Sequence, residues 1–230
     1  MPAPRQDDLP PPEELNQAVR ELIEVVRTAD LDQVDLADPI AQIRGARDDL
    51  RARVVPGMRM QSSLVYEAPA ADAPEGEPET LAPPAAFGAE HPSDFFPYSP
   101  LVGLLNPISP PVAMRRVAAG GHFEIHGEVT FGAAFNGPPD CVHGGVIAAL
   151  FDELLGSTCV VNDIGGYTGT LTVVYRTPTP LGTPLQMRGW HDRSERRKVF
   201  AKGTLHSGDA LCAQAEGIFV QSDDLRSPTS

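Results

Sequence analysis

The sequence predicts an α+β domain in its C-terminal part, in which an antiparallel sheet wraps around one long helix. Residues 143–161 (HGGVIAALFDELLGSTCVV) form one largely apolar run of helical length. Six shorter runs around it have the composition of strands, and glycine- and proline-containing turns separate most of them. A single apolar helix with no second helix nearby can bury its surface only against the sheet, so we expect it on the concave face.

The first 100 residues differ in character from the rest. They contain 8 basic and 19 acidic residues, whereas residues 101–230 contain 10 basic and 12 acidic residues. Behind Pro11, apolar residues at helical spacing predict a first helix, and Asp38 with Pro39 predicts the start of a second. We expect residues 1–67 to form an extension whose two helices pair as a hairpin, or of which one docks on a partner subunit.

Residues 68–97 are rich in proline, alanine and acidic side chains, a composition that predicts a linker. The domain is expected over residues 98–221, and residues 222–230 are expected to form a disordered tail. Its strands are predicted at residues 112–117, 122–131, 168–176, 184–190, 198–206 and 210–220. The short connections between the last four runs favour an antiparallel meander after the helix.

Composition excludes several classes of protein. A net charge of −13 makes nucleic acid an unsuitable main partner, because phosphate binding needs a basic surface. Three widely spaced cysteines argue against a disulfide framework. No apolar run approaches the roughly 18 residues of a membrane span, and the first residues lack the apolar stretch of a secretion signal. We therefore expect a soluble, cytoplasmic protein.

The residues that point to chemistry lie at the start of the long helix. The helix is predicted to begin with His143, Gly144 and Gly145, and its first backbone N–H groups lie at the positive end of the helix dipole. Such groups suit an oxygen that gains negative charge, as in acyl transfer. Further along, Asp152 interrupts the apolar run. A carboxylate there is costly to bury unless it is paired or used, so Asp152 is a candidate general base.

Gly144 and Asp152 of one helix cannot act on the same carbonyl group. Eight residues separate them by about 12 Å along the axis and by about 80° around it. A twofold dimer in which Gly144 of one chain faces Asp152 of the other would bring them together. We therefore expect a homodimer or a dimer of dimers with shared sites.

Two stretches, GPPDCVHGGVIAALFDELLG and TGTLTVVYRTPTPLG, resemble the hotdog-fold acyl-CoA thioesterases, in particular the PaaI-like and THEM4-like subgroup. The resemblance extends over about residues 98–221. It implies a hotdog fold and the hydrolysis of an acyl- or aryl-CoA thioester to a free acid and CoA. It implies no cofactor beyond the coenzyme A of the substrate, and no metal.

The same resemblance implies roles for individual residues. The N–H of Gly144, with Gly145 as a second donor, would polarise the thioester carbonyl. Asp152 of the partner subunit would be the nucleophile or the general base. His143 would orient the substrate or steady its loop, and Thr168 would place the water.

Other residues are candidates for substrate binding. Some members of the family carry an asparagine shortly before the histidine, and Asn136 stands seven residues before His143. Residues 188–202 hold six of the ten basic residues of the C-terminal part, and arginine side chains bind phosphates well. The candidates for contact with the phosphates of CoA are Arg193, Arg196, Arg197 and Lys198. A run of charge of this kind is also typical of a solvated face.

Two other functions stay open at this point. One is a non-catalytic hotdog protein that binds acyl-CoA or an acyl carrier, and the other is a hotdog dehydratase or hydratase with a His/Asp or His/Glu pair. The sequence has neither the G-x-S-x-G elbow of serine hydrolases nor a phosphate-binding P-loop. His122 and His126 have no further ligands at metal spacing. Glu153 is expected to be a solvated or interface charge.

Overall fold

The structure is a computed structural model that describes residues 10–66, 90–110 and 112–221. The helices are α1 (Pro12–Thr28), α2 (Ala37–Arg51), the short α3 (Pro92–Phe95) and α4 (Gly144–Val161). The strands are β1 (Gly57–Arg59), β2 (Leu64–Tyr66), β3 (Ala113–Ala119), β4 (His122–Val129), β5 (Tyr167–Tyr175), β6 (Leu185–Glu195), β7 (Lys198–Ser207) and β8 (Ala210–Val220). The predicted tail and residues 68–89 of the predicted linker lie outside the described residues.

Six of the strands form one antiparallel sheet in the order β3-β4-β6-β7-β8-β5. Strands β6, β7 and β8 follow one another as the predicted meander. Strand β5 pairs with β8 at the edge of the sheet instead of with β6, so the prediction is wrong for this strand. The connection after β5 passes the start of α4, where the Thr179 carbonyl oxygen accepts the Val142 N–H. The chain then continues into β6, which lies three strands away from β5 in the sheet.

The concave face of the sheet holds α4, as predicted. Leu150, Leu154 and Leu155 of this helix are fully buried, and burying each such side chain contributes about 2 kcal/mol to stability. The sheet comes close to the helix at Gly189, where an added Cβ would lie 2.7 Å from the Thr158 hydroxyl oxygen. The expectation that no apolar run approaches the length of a membrane span is wrong for α4, which is long and apolar enough by length and composition alone. Half of this helix is buried inside the domain, where it is the core helix.

The N-terminal extension contains the two predicted helices. The second begins at Ala37, one residue before Asp38, because the Asp35 side chain accepts the Ala37 N–H. The two helices do not bury their apolar stripes against each other, as the predicted hairpin would require. The side chains of both stripes are exposed: Leu15, Leu22 and Val26 of α1, and Ile40, Ile43 and Leu50 of α2. Instead, α1 contacts the C-terminal domain through polar side chains.

The domain starts earlier than predicted. Pro92 and Phe95 of α3 are buried, and Phe95 is only 2% exposed. The Glu90 carbonyl oxygen accepts the Arg116 N–H of β3. The predicted boundary at residue 98 is therefore too late, because apolar side chains at the end of the proline-rich stretch belong to the core.

A charged cluster joins β4 and β6. The Arg188 guanidinium donates to both carboxylate oxygens of Glu124, at 2.7 and 2.6 Å, and His126 Nε2 lies 2.9 Å from Glu124 Oε2. The hydrogen bond from Arg188 is the main reason why the pKa of Glu124 falls from 4.5 to about 2. The ionised carboxylate therefore stabilises the folded state above pH 4.5, and this stabilisation is lost as the pH falls towards 2.

Glu124→Gln is accordingly expected to lower the free energy of unfolding at pH 7 by about 1 kcal/mol, since Arg188 is partly exposed to solvent. The difference from the wild type should shrink between about pH 5 and pH 3 in urea unfolding. Glu128→Gln, at an exposed carboxylate on the same strand, serves as the control. A difference that stays constant with pH would refute this assignment.

Candidate active site

The start of α4 leaves one backbone donor free. His143 is the N-cap residue, and its Nδ1 accepts the Gly145 N–H at 3.0 Å. The carbonyl oxygen of His143 accepts the N–H groups of Val146 and Ile147. The Gly144 N–H has no acceptor within residues 10–66, 90–110 and 112–221. Of the two predicted donors, only Gly144 is therefore free to bind a developing oxyanion, and Gly145 is used to fix His143.

Tyr175 is a site residue that the sequence did not single out. It ends β5, and its hydroxyl group donates to the Gly144 carbonyl oxygen at 2.7 Å. This bond fixes the first peptide unit of α4 against the edge strand. The tyrosine stood inside the quoted TGTLTVVYRTPTPLG stretch, but its contact with the helix depends on β5 lying at the edge of the sheet, which the sequence did not reveal.

Asp152 differs from the expectation of a buried carboxylate, because it is exposed in the single chain. Its Oδ1 accepts a hydrogen bond of 2.8 Å from the Thr168 hydroxyl group. The structure thus brings together two of the predicted catalytic residues. The carboxylate lies beside β5, which is a strand at the edge of the six-stranded sheet.

Glu153 is the less exposed of the two neighbouring carboxylates, and it is half-buried in the single chain. It accepts a hydrogen bond of 2.9 Å from the hydroxyl group of Ser99, which is fully buried. Burial raises the pKa of Glu153. The Ser99 oxygen also accepts the N–H groups of Leu101 and Val102, so Glu153 ties residues 99–102 to α4. Its role is structural.

Asn136 shapes the loop that precedes α4. Its side-chain amide donates to the carbonyl oxygens of Pro138 and Cys141, at 3.0 and 3.3 Å. The Gly137 N–H also donates to the Cys141 carbonyl oxygen. These bonds close the loop just before His143, and they occupy the amide that was predicted to bind the substrate.

The predicted phosphate ligands lie at the β6–β7 turn. Arg193 is paired with Asp192 and Glu195, at 2.7 and 2.8 Å, and stacks on the Phe200 ring. Arg197 donates to the Gln221 carbonyl oxygen. Within the part of the chain that the structure describes, Arg196 and Lys198 make no ion pair, so these two are the more available of the four.

The β6–β7 turn is at the opposite end of the sheet from Gly144. Lys198 pairs with Val220, which pairs with Tyr167 at the start of β5, whereas Tyr175 at its end contacts Gly144. A strand of nine residues is about 26 Å long between its ends. The basic residues are therefore far from the Gly144 of their own chain and lie on the side of Thr168.

A groove of about 390 Å³ opens at the start of α4. Its walls include Gly144, Ile147, Tyr175, Arg176 and Thr179. A thioester carbonyl placed in this groove could meet the free N–H of Gly144. The Asp152 of the same chain lies two turns further along the helix, so one chain supplies only half of the predicted site.

Part of the chain is similar in sequence to known proteins. Residues 140–213 match the family model of the thioesterase superfamily. Acyl-coenzyme A thioesterase THEM4 of Xenopus laevis is 35% identical over 92 residues, which are 39% of this chain and 41% of that protein. The mouse protein of the same name is 32% identical over 94 residues, or 40% of either chain. The chain thus matches about two fifths of the length of these relatives.

The likeness in fold extends further along the chain. The crystal structure of a thioesterase superfamily protein superposes with a TM-score of 0.70, covering 96% of this chain and 94% of that one at 22% sequence identity. The sheet wrapped around α4 is therefore a hotdog fold, and residues 140–213 are the part of the chain that is similar to the thioesterase superfamily.

Proposed function

We propose that this protein is an acyl-CoA thioesterase that hydrolyses an acyl- or aryl-CoA thioester to the free acid and CoA. The observation that carries the proposal is the free N–H of Gly144, which lies at the start of α4 beside a groove. Gly144 and Asp152 lie within residues 140–213, which match the thioesterase superfamily model. Asp152, hydrogen-bonded to Thr168, supplies the second chemical group.

The site is completed by a second copy of the chain. One side of β5 pairs with β8, and its other side has no partner strand in the described part of the chain. Tyr167, Val174 and Tyr175 on this strand are exposed. Natural proteins seldom expose such an edge strand, because its unpaired backbone N–H and C=O groups readily form hydrogen bonds with a strand of another chain. Antiparallel pairing of β5 with the β5 of a second copy satisfies them.

The geometry of β5 supports a site shared in this way. A bulge between Thr168 and Thr170 adds one residue, so that Thr168 and Tyr175 pair with Phe219 and Ala213 and point to the same face. Pairing about a twofold axis near the middle of β5 sets Thr168 beside the partner's Tyr175. Because Thr168 contacts Asp152 and Tyr175 contacts Gly144, each site then combines Asp152 with the partner's Gly144.

In this shared site the Gly144 N–H donates to the thioester carbonyl oxygen and stabilises the negative charge that develops there. Asp152 accepts a proton from water while the water oxygen forms a bond to the carbonyl carbon. The carbon–sulfur bond then breaks, and the departing CoA thiolate takes the proton back from Asp152. In the alternative route, Asp152 itself attacks the carbonyl carbon and the carbon–sulfur bond breaks, so that CoA leaves as a thiolate and a mixed anhydride remains. Water then hydrolyses the anhydride, which restores the Asp152 carboxylate, releases the acid and leaves one proton for the thiolate.

The proposed chemistry needs only backbone amides, a carboxylate and water, so it needs no resident cofactor. Arg196 and Lys198 are proposed ligands of the CoA phosphates, on the Asp152 side of the shared site. A dimer of dimers and a cytoplasmic location stay predictions.

The direct test is release of CoA by the purified protein from a panel of short-chain, long-chain and aryl-CoA thioesters. We expect at least one substrate to yield free thiol and free acid in equal amounts. Tight binding of acyl-CoA without turnover would favour the non-catalytic alternative. Hydration of an enoyl-CoA with its thioester left intact would favour a hydratase.

A further inference from the structure

Helix α1 is attached to the domain by two charged side chains, although none of its residues is buried. Arg20 Nη1 donates to the Asn106 carbonyl oxygen at 3.1 Å. One turn later, the Glu24 carboxylate accepts the N–H groups of Ala133 and Ala134, at 2.9 and 3.3 Å. Polar contacts between residues far apart in the sequence therefore decide where α1 lies.

The contact of Glu24 occupies a space left by a glycine. A Cβ built on Gly132 would lie 2.6 Å from Glu24 Oε2, much closer than a side chain tolerates. The backbone of Gly132 is extended (φ −84°, ψ −175°), a conformation that any residue adopts. Glycine at position 132 is therefore explained by the space that the Glu24 carboxylate occupies, and not by the backbone conformation.

The residues that Glu24 holds are close to the active site along the chain and in space. Ala133–Phe135 form a 3-10 turn, and the Phe135 carbonyl oxygen accepts the His143 N–H at 2.9 Å. His143 in turn fixes Gly145 and begins α4. A short series of hydrogen bonds thus runs from Glu24 through the turn to the peptide unit that presents the Gly144 N–H.

We infer that Glu24 is a positioning residue for the oxyanion-binding N–H of Gly144, and that α1 is part of the enzyme's active structure. The inference rests on the proposed thioesterase function. The carboxylate holds the 133–135 turn, the turn holds His143, and His143 sets the direction of the Gly144 N–H. Displacement of a catalytic donor by about 1 Å costs up to a hundredfold in rate. Loss of Glu24 therefore lowers kcat and leaves KM nearly unchanged.

A double-mutant cycle tests this series of contacts in the full-length protein. Glu24→Ala removes the carboxylate, whereas Gly132→Ala displaces it without changing α1. Each is expected to lower kcat about tenfold. The double variant should be no slower than either single variant, because the methyl group introduced by Gly132→Ala fits once the carboxylate is absent.

Glu24→Gln, which keeps an acceptor oxygen, should recover part of the loss. The matched control is Glu21→Ala, which removes an exposed carboxylate that accepts a hydrogen bond from the Gln17 side chain on the same helix.

Hydrogen exchange of the same variants separates this inference from the proposed function. In Glu24→Ala we expect faster exchange at the amides of Ala133, Ala134 and Gly145, and the Glu21→Ala protein should exchange like the wild type. Unchanged exchange at Gly145 overturns the positioning role, even if no acyl-CoA is hydrolysed by any form. If the wild type is active, an unchanged kcat in Glu24→Ala or multiplicative losses in the double variant also overturn it.

Discussion

Asp152→Asn is expected to lower the rate of CoA release about a thousandfold while acyl-CoA still binds. Asparagine keeps an oxygen that can accept the hydrogen bond from Thr168, so the local structure should persist. It can neither take a proton from water nor attack a thioester, and loss of a general base costs about 10²–10⁴ in rate. Single-turnover measurements of thiol release, with binding followed by calorimetry, check both parts of this expectation.

The matched control for Asp152→Asn is Asp209→Asn, which removes an exposed carboxylate on the β7–β8 turn and should leave activity unchanged. If Asp152→Asn retained more than about a tenth of wild-type activity, Asp152 could be neither base nor nucleophile. In the wild type, a single turnover in oxygen-18 water separates the two routes. Label in the Asp152 carboxylate demonstrates the mixed anhydride, since it enters only when water attacks the aspartyl carbonyl of that intermediate.

The second large effect is expected from Gly144→Pro, which removes the backbone N–H that has no acceptor among the described residues at the start of α4. Proline is well tolerated at the first position of a helix, and the preceding residue, His143, already has the extended conformation that proline demands (φ −61°, ψ 132°). The helix should therefore form as before. Loss of an oxyanion donor lowers kcat by about 10²–10³.

Gly144→Ala is the companion variant that keeps the N–H. Its Cβ would lie 3.5 Å from the Tyr175 hydroxyl oxygen, an ordinary contact. We expect it to lose far less activity than Gly144→Pro, with similar thermal unfolding of the two proteins. Equal activity in the alanine and proline variants would show that the Gly144 N–H does not bind the oxyanion.

The fold was predictable because its main signals are local. The apolar run of α4 and the turn residues between strands identify the elements, and a lone apolar helix has only a sheet to pack against. The edge position of β5 was not predictable in this way, since pairing with β8 instead of β6 depends on a connection that passes the start of α4. The docking of α1 through Arg20 and Glu24 likewise depends on contacts between residues far apart in the sequence.

For the candidate site, the sequence singled out the start of α4 and Asp152, but it did not show how exposed each carboxylate is or which basic residues are paired. The apolar run could not tell which of Asp152 and Glu153 is the less exposed, because the two adjacent carboxylates both interrupt it. The difference comes from Ser99, whose buried hydroxyl group donates to Glu153 and which lies 54 residues earlier in the chain. The availability of Arg196 and Lys198, but not of Arg193, is also set by neighbours across the turn.

The measurement that tests the shared site most directly is complementation between two inactive subunits. Asp152→Asn and Gly144→Pro homodimers each lack one half of every site. When the two are refolded together in equal amounts, half of the dimers should be mixed, and each mixed dimer has one intact site, which restores up to about a quarter of wild-type activity. No recovery, in a sample where mass spectrometry detects mixed dimers, would contradict a site built from Gly144 of one chain and Asp152 of the other.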